Sequence, residues 1–478
     1  MRDAAGGGAK VRPVERRRRF AIRTYGCQMN QHDTEKVSSL LLHAGLEPAG
    51  AEESADVLLI NTCSIREKAE HRLYSDLGAL RRWKEAAEGR VLGVGGCVAQ
   101  QEGAGLLDRF GHLDFVYGTH NLRAVPDLLR SAAGGRRGSR TEELRSLERF
   151  DLPPRHPRAA GASGARAFVT VMEGCDMFCT FCVVPRTRGR EISRPAASVL
   201  EEARRLCEAG TREIVLLGQT VNAYGRHDLR RGHAERAGTL PFAELLRRLA
   251  ATPGLRRLRY TSPHPLFFDD ELVRAHGELE VLCPHVHLPL QSGSDRILAS
   301  MRRRYDAAAY LGIVRALRRA RPDIAITTDL IVGYPGETEA DFGATLDLME
   351  EVGFTDSYSF KFSPRPGTAA AGLPDPVPAE VASERLSRLQ ALQRELTLAA
   401  HRDRVGSRTE VLVEGESRRG GQASGRDPYH RVVNLLVPPG RPLPEAGTFV
   451  PVRVVDATPH SLLGEPEPSE PCQAAAAL

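Results

Sequence analysis

Between residues 20 and 130, short apolar runs alternate with longer stretches whose apolar residues recur at helical spacing. Strands are predicted near Phe20–Thr24, Val57–Asn61, Val91–Gly95 and Phe115–Tyr117, and helices near 33–44, 66–82, 99–109 and 121–130. That rhythm predicts a small parallel α/β domain. Residues 131–165, rich in Gly, Pro and Arg, read as a connector. A second alternation follows, with strands predicted at Ala167–Met172, Glu213–Leu217, Leu258–Thr261, Val286–Leu290, Ala325–Ile331 and Ser357–Phe362, and amphipathic helices such as Pro241–Ala251 and Ala308–Ala320. Six strand–helix units, against the eight of a closed barrel, predict an open partial (β/α)6 barrel. A Leu/Arg-rich helix over Ala379–Arg404 leads into short strands at Thr409–Val413, Arg431–Leu436 and Phe449–Val455, consistent with a small β-barrel of about 60 residues. The expected fold class is therefore α/β followed by a small β domain. The expected segments are a disordered basic tail (1–19), the first domain (20–135), a linker (136–165), the partial barrel (166–395), the β-barrel (396–465) and a disordered Pro/Glu/Ala tail (466–478).

Composition removes several classes. A chain of 478 residues with 41% hydrophobic and 27% charged residues is a multidomain globular protein. No apolar run approaches the ~18–20 residues that span a bilayer, and no apolar segment follows Arg16–Arg19 as in a secretory signal, so a cytoplasmic location is expected. The balance of 66 basic against 61 acidic residues is only slightly positive. Lysine, however, is confined to Lys10, Lys36, Lys68, Lys84 and Lys361. Nearly all positive charge is arginine, which suits phosphate contacts and base stacking, although arginine-favouring codon usage gives the same composition.

Cysteine spacing carries the chemistry. Cys175, Cys179 and Cys182 form a Cys-x3-Cys-x2-Cys loop directly after the first barrel strand, at the mouth where such folds keep their active sites. A short loop of this kind brings three thiolates to one inorganic centre. Zinc usually takes a fourth Cys or His, and none is adjacent. Three thiolates on a 4Fe-4S cube leave one iron open to a small molecule, and a reduced cluster of that kind can bind S-adenosylmethionine and cleave it to a 5′-deoxyadenosyl radical. Cys27, Cys63 and Cys97 each fall just after one of the first three strands, where they can meet at one sheet edge and hold a second cluster; three cysteines buried for packing are the plainer alternative. Cys207, Cys283 and Cys472 lack ligand spacing and read as structural. No Gly-x-Ser-x-Gly, His-Glu-x-x-His or P-loop pattern offers a hydrolase or nucleotide-hydrolysing site.

Glycine-rich strand ends at Gly218–Asn222, Gln291–Ser294 and Gly333–Glu337 line the same rim. In the C-terminal β domain, Arg418, Arg419, Arg426 and Tyr429 offer guanidinium groups and a ring to RNA phosphates and bases, with a solvated charged loop as the alternative.

The loop Cys175–Cys182, with Val183-Val184-Pro185, Thr187-Arg188-Gly189-Arg190-Glu191 and Ser193-Arg194-Pro195, resembles the methylthiotransferase family of radical S-adenosylmethionine enzymes. The resemblance spans about residues 20–463. Tyr25-Gly26-Cys27-Gln28-Met29-Asn30, Asn61–Ala69 and Gly95-Gly96-Cys97-Val98-Ala99-Gln100 resemble the branch that modifies N6-isopentenyladenosine in tRNA, the run Ser64-Ile65-Arg66-Glu67-Lys68-Ala69 being the most discriminating. The resemblance implies an N-terminal methylthiotransferase domain, a radical S-adenosylmethionine barrel and a C-terminal TRAM domain that grips tRNA. It implies that Cys175, Cys179 and Cys182 hold the S-adenosylmethionine cluster and Cys27, Cys63 and Cys97 the auxiliary 4Fe-4S cluster, both facing one cavity. The implied reaction is methylthiolation of adenine C2 at position 37, using S-adenosylmethionine as methyl donor and as radical source, with sulfur from the auxiliary cluster. Phe181, Gln219, Asn222, His287 and Gln291 are rim candidates for S-adenosylmethionine contact. An external electron donor and iron–sulfur assembly machinery are implied as partners of a monomer. Asp176-Met177, Arg186 and the basic Arg302-Arg303-Arg304-Tyr305 depart from the family pattern. Threonylcarbamoyl-adenosine or a ribosomal-protein aspartate is the alternative substrate, and an iron–sulfur RNA-binding or redox-sensing module the alternative of another class.

Overall fold

The computed structural model describes residues 18–64, 67–159, 164–230, 238–417, 420–438 and 440–467. The two tails expected to be disordered lie almost wholly outside them, as do Arg418, Arg419 and Cys472. The chain divides into two compact units, residues 1–142 with 152–159, and residues 143–151 with 160–478. Among the described residues no helix is long and apolar enough to cross a membrane.

In the first unit, strands β1 (Arg19–Thr24), β2 (Glu47–Pro48), β3 (Val57–Thr62), β4 (Val91–Gly96), β5 (Phe115–Tyr117) and β6 (Gly138–Arg140) form one parallel sheet in the order β2-β1-β3-β4-β5-β6. β3 and β4 are buried along their whole length, which is why they read as continuous apolar runs. The order of the first five strands is the flavodoxin-like one, whose ligands collect at the carboxyl ends where the winding reverses between β1 and β3. β6 comes from the stretch read as connector. Helix Gln28–His43 begins five residues before the expected start, because its first turns bury the polar Asn30, His32, Asp33 and Glu35 and so mask the apolar stripe. His32 and Arg155 both pair with the Glu35 carboxylate.

The second unit opens with β7 (Arg166–Thr170), β8 (Met172–Glu173) and β9 (Ile192–Ser193); β7 then runs parallel to β10 (Glu213–Leu217), and β10 to β11 (Arg257–Tyr260). A matching trio follows, β12 (His285–His287), β13 (Ala325–Val332) and β14 (Asp356–Lys361). A parallel bridge between Leu258 and Leu282 joins the trios, and β7 and β14 are unpaired ends, so six parallel strands make the expected open barrel. Its core runs from Val169 and Leu216 through Leu258 and Val286 to Leu330 and the helices outside them.

β15 (Arg408–Glu416), β16 (Ala423–Arg426), β17 (Val432–Leu435), β18 (Phe449–Ala457) and β19 (Leu462–Pro466) close a five-stranded barrel around Val411, Val433, Val452 and Leu462. β16 and β19 carry glycines and prolines and gave no apolar alternation. This barrel is tied to the base of the larger one by two buried arginines on β11. Arg257 donates to the carbonyls of Arg426 (3.0 Å) and Glu410 (2.5 Å), and Arg259 to that of Asp427 (2.9 Å). Glu213 lies 3.4 Å from Arg259 and 3.7 Å from Arg257, compensating buried charge. Removing one member of such a set strands the others, a loss of about 3–5 kcal/mol. Arg259→Ala is therefore expected to unfold at markedly lower denaturant and to release the C-terminal barrel early in limited proteolysis; an unshifted midpoint would count against the clamp.

Candidate functional site

Strand register brings the first three cysteines together. Thr24 pairs with Asn61, and Asn61 with Gly95, so three parallel strands reach the same height. Cys27, Cys63 and Cys97 follow these partners by three, two and two residues on strands about 4.8 Å apart. Two glycines allow the approach. At Gly26 (φ 120°) an added Cβ would lie 2.2 Å from the Cys63 Cβ and 3.2 Å from its Sγ; at Gly96 (φ 95°) it would lie 2.3 Å from the Thr62 carbonyl oxygen. Asn30 cross-ties the ends: its amide donates to the Thr62 carbonyl at 2.8 Å, its carbonyl accepts from the Asn61 amide at 2.8 Å, and the Cys27 thiol donates to its side chain at 3.3 Å. Ile65 and Arg66 lie outside the described residues.

In the second unit Cys175, Met177, Cys179 and Cys182 pack as one cluster with Phe181 and Phe267, at the carboxyl end of β7 and β8. Each sulfur has its own donor. The Thr220 hydroxyl lies 3.0 Å from the Cys175 sulfur, which also accepts from the Met177 N–H. The Arg303 guanidinium donates to the Cys179 sulfur at 3.5 Å, and the Val184 N–H serves Cys182. Burial pushes the Cys175 thiol up to about 11 and the Cys182 thiol up to about 12, with neighbouring thiols adding to the rise. Such thiols become thiolates when positive charge enters the pocket, as iron binding provides.

The loop is braced from both sides. Arg190 donates through Nε to Asp176 Oδ1 (2.6 Å) and through Nη2 to Oδ2 (3.1 Å), and the Gly174 N–H donates to Gln219 Oε1 (2.6 Å). Burial opposes ionisation of Asp176, but the Arg190 and Glu191 hydrogen bonds outweigh it and leave the carboxyl below its ordinary value. Glu191 is driven the other way, up to about 8, by burial first and then by Asp176 and Asp228.

Among the described residues no three His, Cys, Asp or Glu side chains stand close enough to hold a single metal ion. Sulfurs sharing one tetrahedral zinc sit about 3.8 Å apart, from bonds of about 2.3 Å. A cube takes one thiolate per iron, on different corners, and each cysteine trio offers three thiols to that purpose. The donor sets fit 4Fe-4S clusters. No disulfide forms among the described cysteines, and Cys207 and Cys283 are buried away from either set.

The rim residues fare unevenly. Phe181 packs on the cysteine loop and against Ile297, Met301 and Tyr334. Gln219 positions the loop through Gly174. Asn222 ties the loop, its amide donating to the His264 carbonyl (3.0 Å) while its oxygen accepts from the His264 N–H (2.8 Å). His287 stands inside the barrel, 3.0 Å from the Thr327 hydroxyl and 3.4 Å from Asp329. Gln291 is buried at φ 76°, its N–H bonded to the Asp329 carbonyl. Two of the RNA candidates have partners within the protein. Arg426 bonds Glu414 and the His430 carbonyl, and the Tyr429 ring lies under Arg404 and Arg431 (4.8 and 4.7 Å) with its hydroxyl donating to Asp323 (2.5 Å). Tyr429 thereby reaches the larger barrel, while the Arg426 side chain bonds within the C-terminal one.

Arg303, Thr220 and Glu191 were missed as functional residues, although each lies in a motif already singled out. Arg303 is buried and donates to the Cys179 sulfur, the Tyr305 hydroxyl and the Pro289 carbonyl. A hydrogen bond from a charged donor is worth about 1.5–3 kcal/mol, or about 65–130 mV for one electron. Arg303→Gln is expected to make the cluster at Cys175–Cys182 harder to reduce by that order, read from an anaerobic redox titration followed by electron paramagnetic resonance. An unmoved potential would assign Arg303 to packing alone.

Three family models match the chain: Uncharacterized protein family UPF0004 over residues 19–118, the Radical SAM superfamily over 169–349, and the TRAM domain over 402–466. A tRNA-2-methylthio-N(6)-dimethylallyladenosine synthase from Geobacter metallireducens is 49% identical over 444 residues, covering 93% of this chain and 97% of that protein. One of the same name from Acidithiobacillus ferrooxidans is 48% identical over 445 residues, covering 93% and 96%. Among solved structures, the radical S-adenosylmethionine methyltransferase TsrM from Kitasatospora setae, with tryptophan substrate and a SAM analog bound, shares the fold at TM-score 0.54 and 16% identity over 74% of this chain and 75% of that one.

Proposed function

The chain belongs to the tRNA-2-methylthio-N(6)-dimethylallyladenosine synthase family, and from that premise we propose that it methylthiolates C2 of N6-isopentenyladenosine at position 37 of tRNA. Cys175, Cys179 and Cys182 hold one 4Fe-4S cluster, and Cys27, Cys63 and Cys97 a second. When bound, the first supplies the electron that cleaves S-adenosylmethionine to methionine and a 5′-deoxyadenosyl radical, and the second supplies sulfur. Adenine C2–H is neither acidic nor beside a carbonyl, so no protein base could activate it. The chain's own residues fix thiol positions instead: Asp176, Arg190 and Gln219 brace the loop, Arg303 and the Met177 N–H direct donors at sulfur, and the Thr220 hydroxyl hydrogen-bonds Cys175.

The observation that carries this reading is the set of three thiols, Cys175 and Cys179 buried and Cys182 half-buried, each with its own hydrogen-bond partner, at the carboxyl mouth of the open barrel. The C-terminal TRAM domain contributes the grip on tRNA, with Arg418 and Arg419 as contacts. An external electron donor and iron–sulfur assembly proteins serve a cytoplasmic monomer. Nucleoside mass spectrometry of total tRNA from a deletion strain tests the substrate. The 2-methylthio derivative should vanish while N6-isopentenyladenosine accumulates; a change confined to threonylcarbamoyl-adenosine would reassign it.

A further inference from the structure

The last strands of the open barrel have two unlike faces. Along β13, Ile326, Thr328, Leu330 and Val332 are buried, whereas Thr327, Asp329 and Ile331 between them are partly exposed. Side chains alternate along a strand, and the buried set packs toward the outer helices, so the second set faces the barrel interior. β14 repeats the division. Ser359 accepts from the Gln390 amide (3.3 Å) and Lys361 donates to the Ser383 hydroxyl (3.1 Å), both toward helix Ala379–Arg402. Tyr358 and Phe360 face inward, the Tyr358 ring edge-on to His287 of β12 at 6.0 Å between centroids. They are 51% and 37% exposed. The packing of the barrel leaves these rings uncovered, and apolar surface of that kind marks a place for a ligand.

Strand register joins this surface to the thiol loop. Asp329 pairs with Tyr358, and one step nearer the carboxyl mouth Ile331 pairs with Phe360. Ile331 packs against the same Ile297, Met301 and Tyr334 that Phe181 does, and Phe181 packs on the cysteine loop. An apolar path therefore runs from the cluster site along the inner wall to Phe360 and Tyr358. The inward positions of β12, β13 and β14 include the carboxylates of Asp329 and Asp356 and no lysine or arginine. Asp329 stands 3.4 Å from the His287 Nε2. Such a wall suits a neutral, branched apolar group that carries a hydrogen-bond donor. N6-isopentenyladenine has both, a five-carbon branched chain on a nitrogen that keeps one hydrogen. A base taken out of its stack for chemistry is held by apolar and aromatic side chains of this kind. S-adenosylmethionine offers the wall less, since its ammonium, carboxylate and sulfonium are charged.

We propose that Phe360 and Tyr358 form the pocket for the isopentenyl group of the substrate adenosine and thereby make the enzyme select prenylated tRNA. The proposal rests on the tRNA reading above and names the residues that read the substituent. The test uses anaerobically reconstituted full-length protein without S-adenosylmethionine, so that no contact to that molecule enters the result. Two fluorescein-labelled anticodon stem-loops are compared, identical except for N6-isopentenyladenosine or plain adenosine at position 37. Wild type should bind the prenylated RNA more tightly on the order of tenfold or more, the discrimination a hydrophobic pocket gives to added carbons. Phe360→Ala should weaken the prenylated RNA on the order of tenfold and shift the plain RNA little, so that the preference collapses. Tyr358→Ala, at the more exposed ring, should act in the same direction. Equal affinity of wild type for the two RNAs, equal weakening of both by Phe360→Ala, or a preference that neither substitution alters would overturn the pocket and leave the tRNA reading standing. Wild type that binds neither RNA would overturn the tRNA reading and the pocket with it.

Discussion

Cys179→Ala is expected to abolish tRNA methylthiolation and to lower the iron of reconstituted protein from about eight to about four per chain, one 4Fe-4S cluster being lost. Cys179 sits between Cys175 and Cys182 in a loop whose backbone is held by Asp176, Arg190 and Gln219, so the remaining thiols cannot shift to enclose a cube. Its sulfur is also the acceptor for Arg303, and its loss leaves a buried guanidinium without that partner. Iron and sulfide counting, with chromatography for 5′-deoxyadenosine after dithionite and S-adenosylmethionine, reads both effects. The auxiliary cluster should persist, since its ligands lie on a different sheet. Full iron together with undiminished cleavage would refute the assignment of this loop.

Gly26→Ala is expected to produce the complementary defect, in which cleavage of S-adenosylmethionine survives while the methylthio product and the auxiliary cluster are lost. Two penalties coincide at Gly26. Its φ of 120° strains any residue with a Cβ, at about 1–3 kcal/mol. The new Cβ would also meet the Cys63 Cβ at 2.2 Å, and Cys63 is held by the fully buried β3, so crowding adds about 1–3 kcal/mol. Gly45→Ala is the control, because Gly45 also has positive φ (87°) but nothing within 4 Å of an added Cβ. It should lower the melting temperature modestly and retain both clusters. If Gly26→Ala kept eight irons and full product formation, Cys27 and Cys63 would not share a centre.

Much of this was legible in the sequence, for definable reasons. β10 and β5 are short apolar runs bounded by polar residues, and their expected limits match the observed ones. The loop of Cys175, Cys179 and Cys182 is local, so spacing alone brings its thiols to one place. β16, β19 and β6 escaped notice because Ala423–Arg426, Leu462–Pro466 and Gly138–Arg140 are short and carry glycine, proline or polar residues, so no alternation of their own side chains announces the ladders they form. The surroundings of Tyr429 and Arg426 were illegible for a related reason. An arginine and an aromatic ring on a β surface look alike whatever they touch, and only the tertiary structure shows Arg404, Arg431 and Asp323 around Tyr429 and Glu414 beside Arg426.

The sequence by itself determined the alternation of elements, the open count of six strands and the thiol loop, because each depends on neighbours within a few residues. Tertiary structure decided that β1, β3 and β4 end level, so that cysteines 36 and 34 residues apart become neighbours, and that Arg303, 124 residues from Cys179, serves its sulfur. Register between strands and the burial of a distant cation arise from packing the whole chain, and no local pattern encodes them.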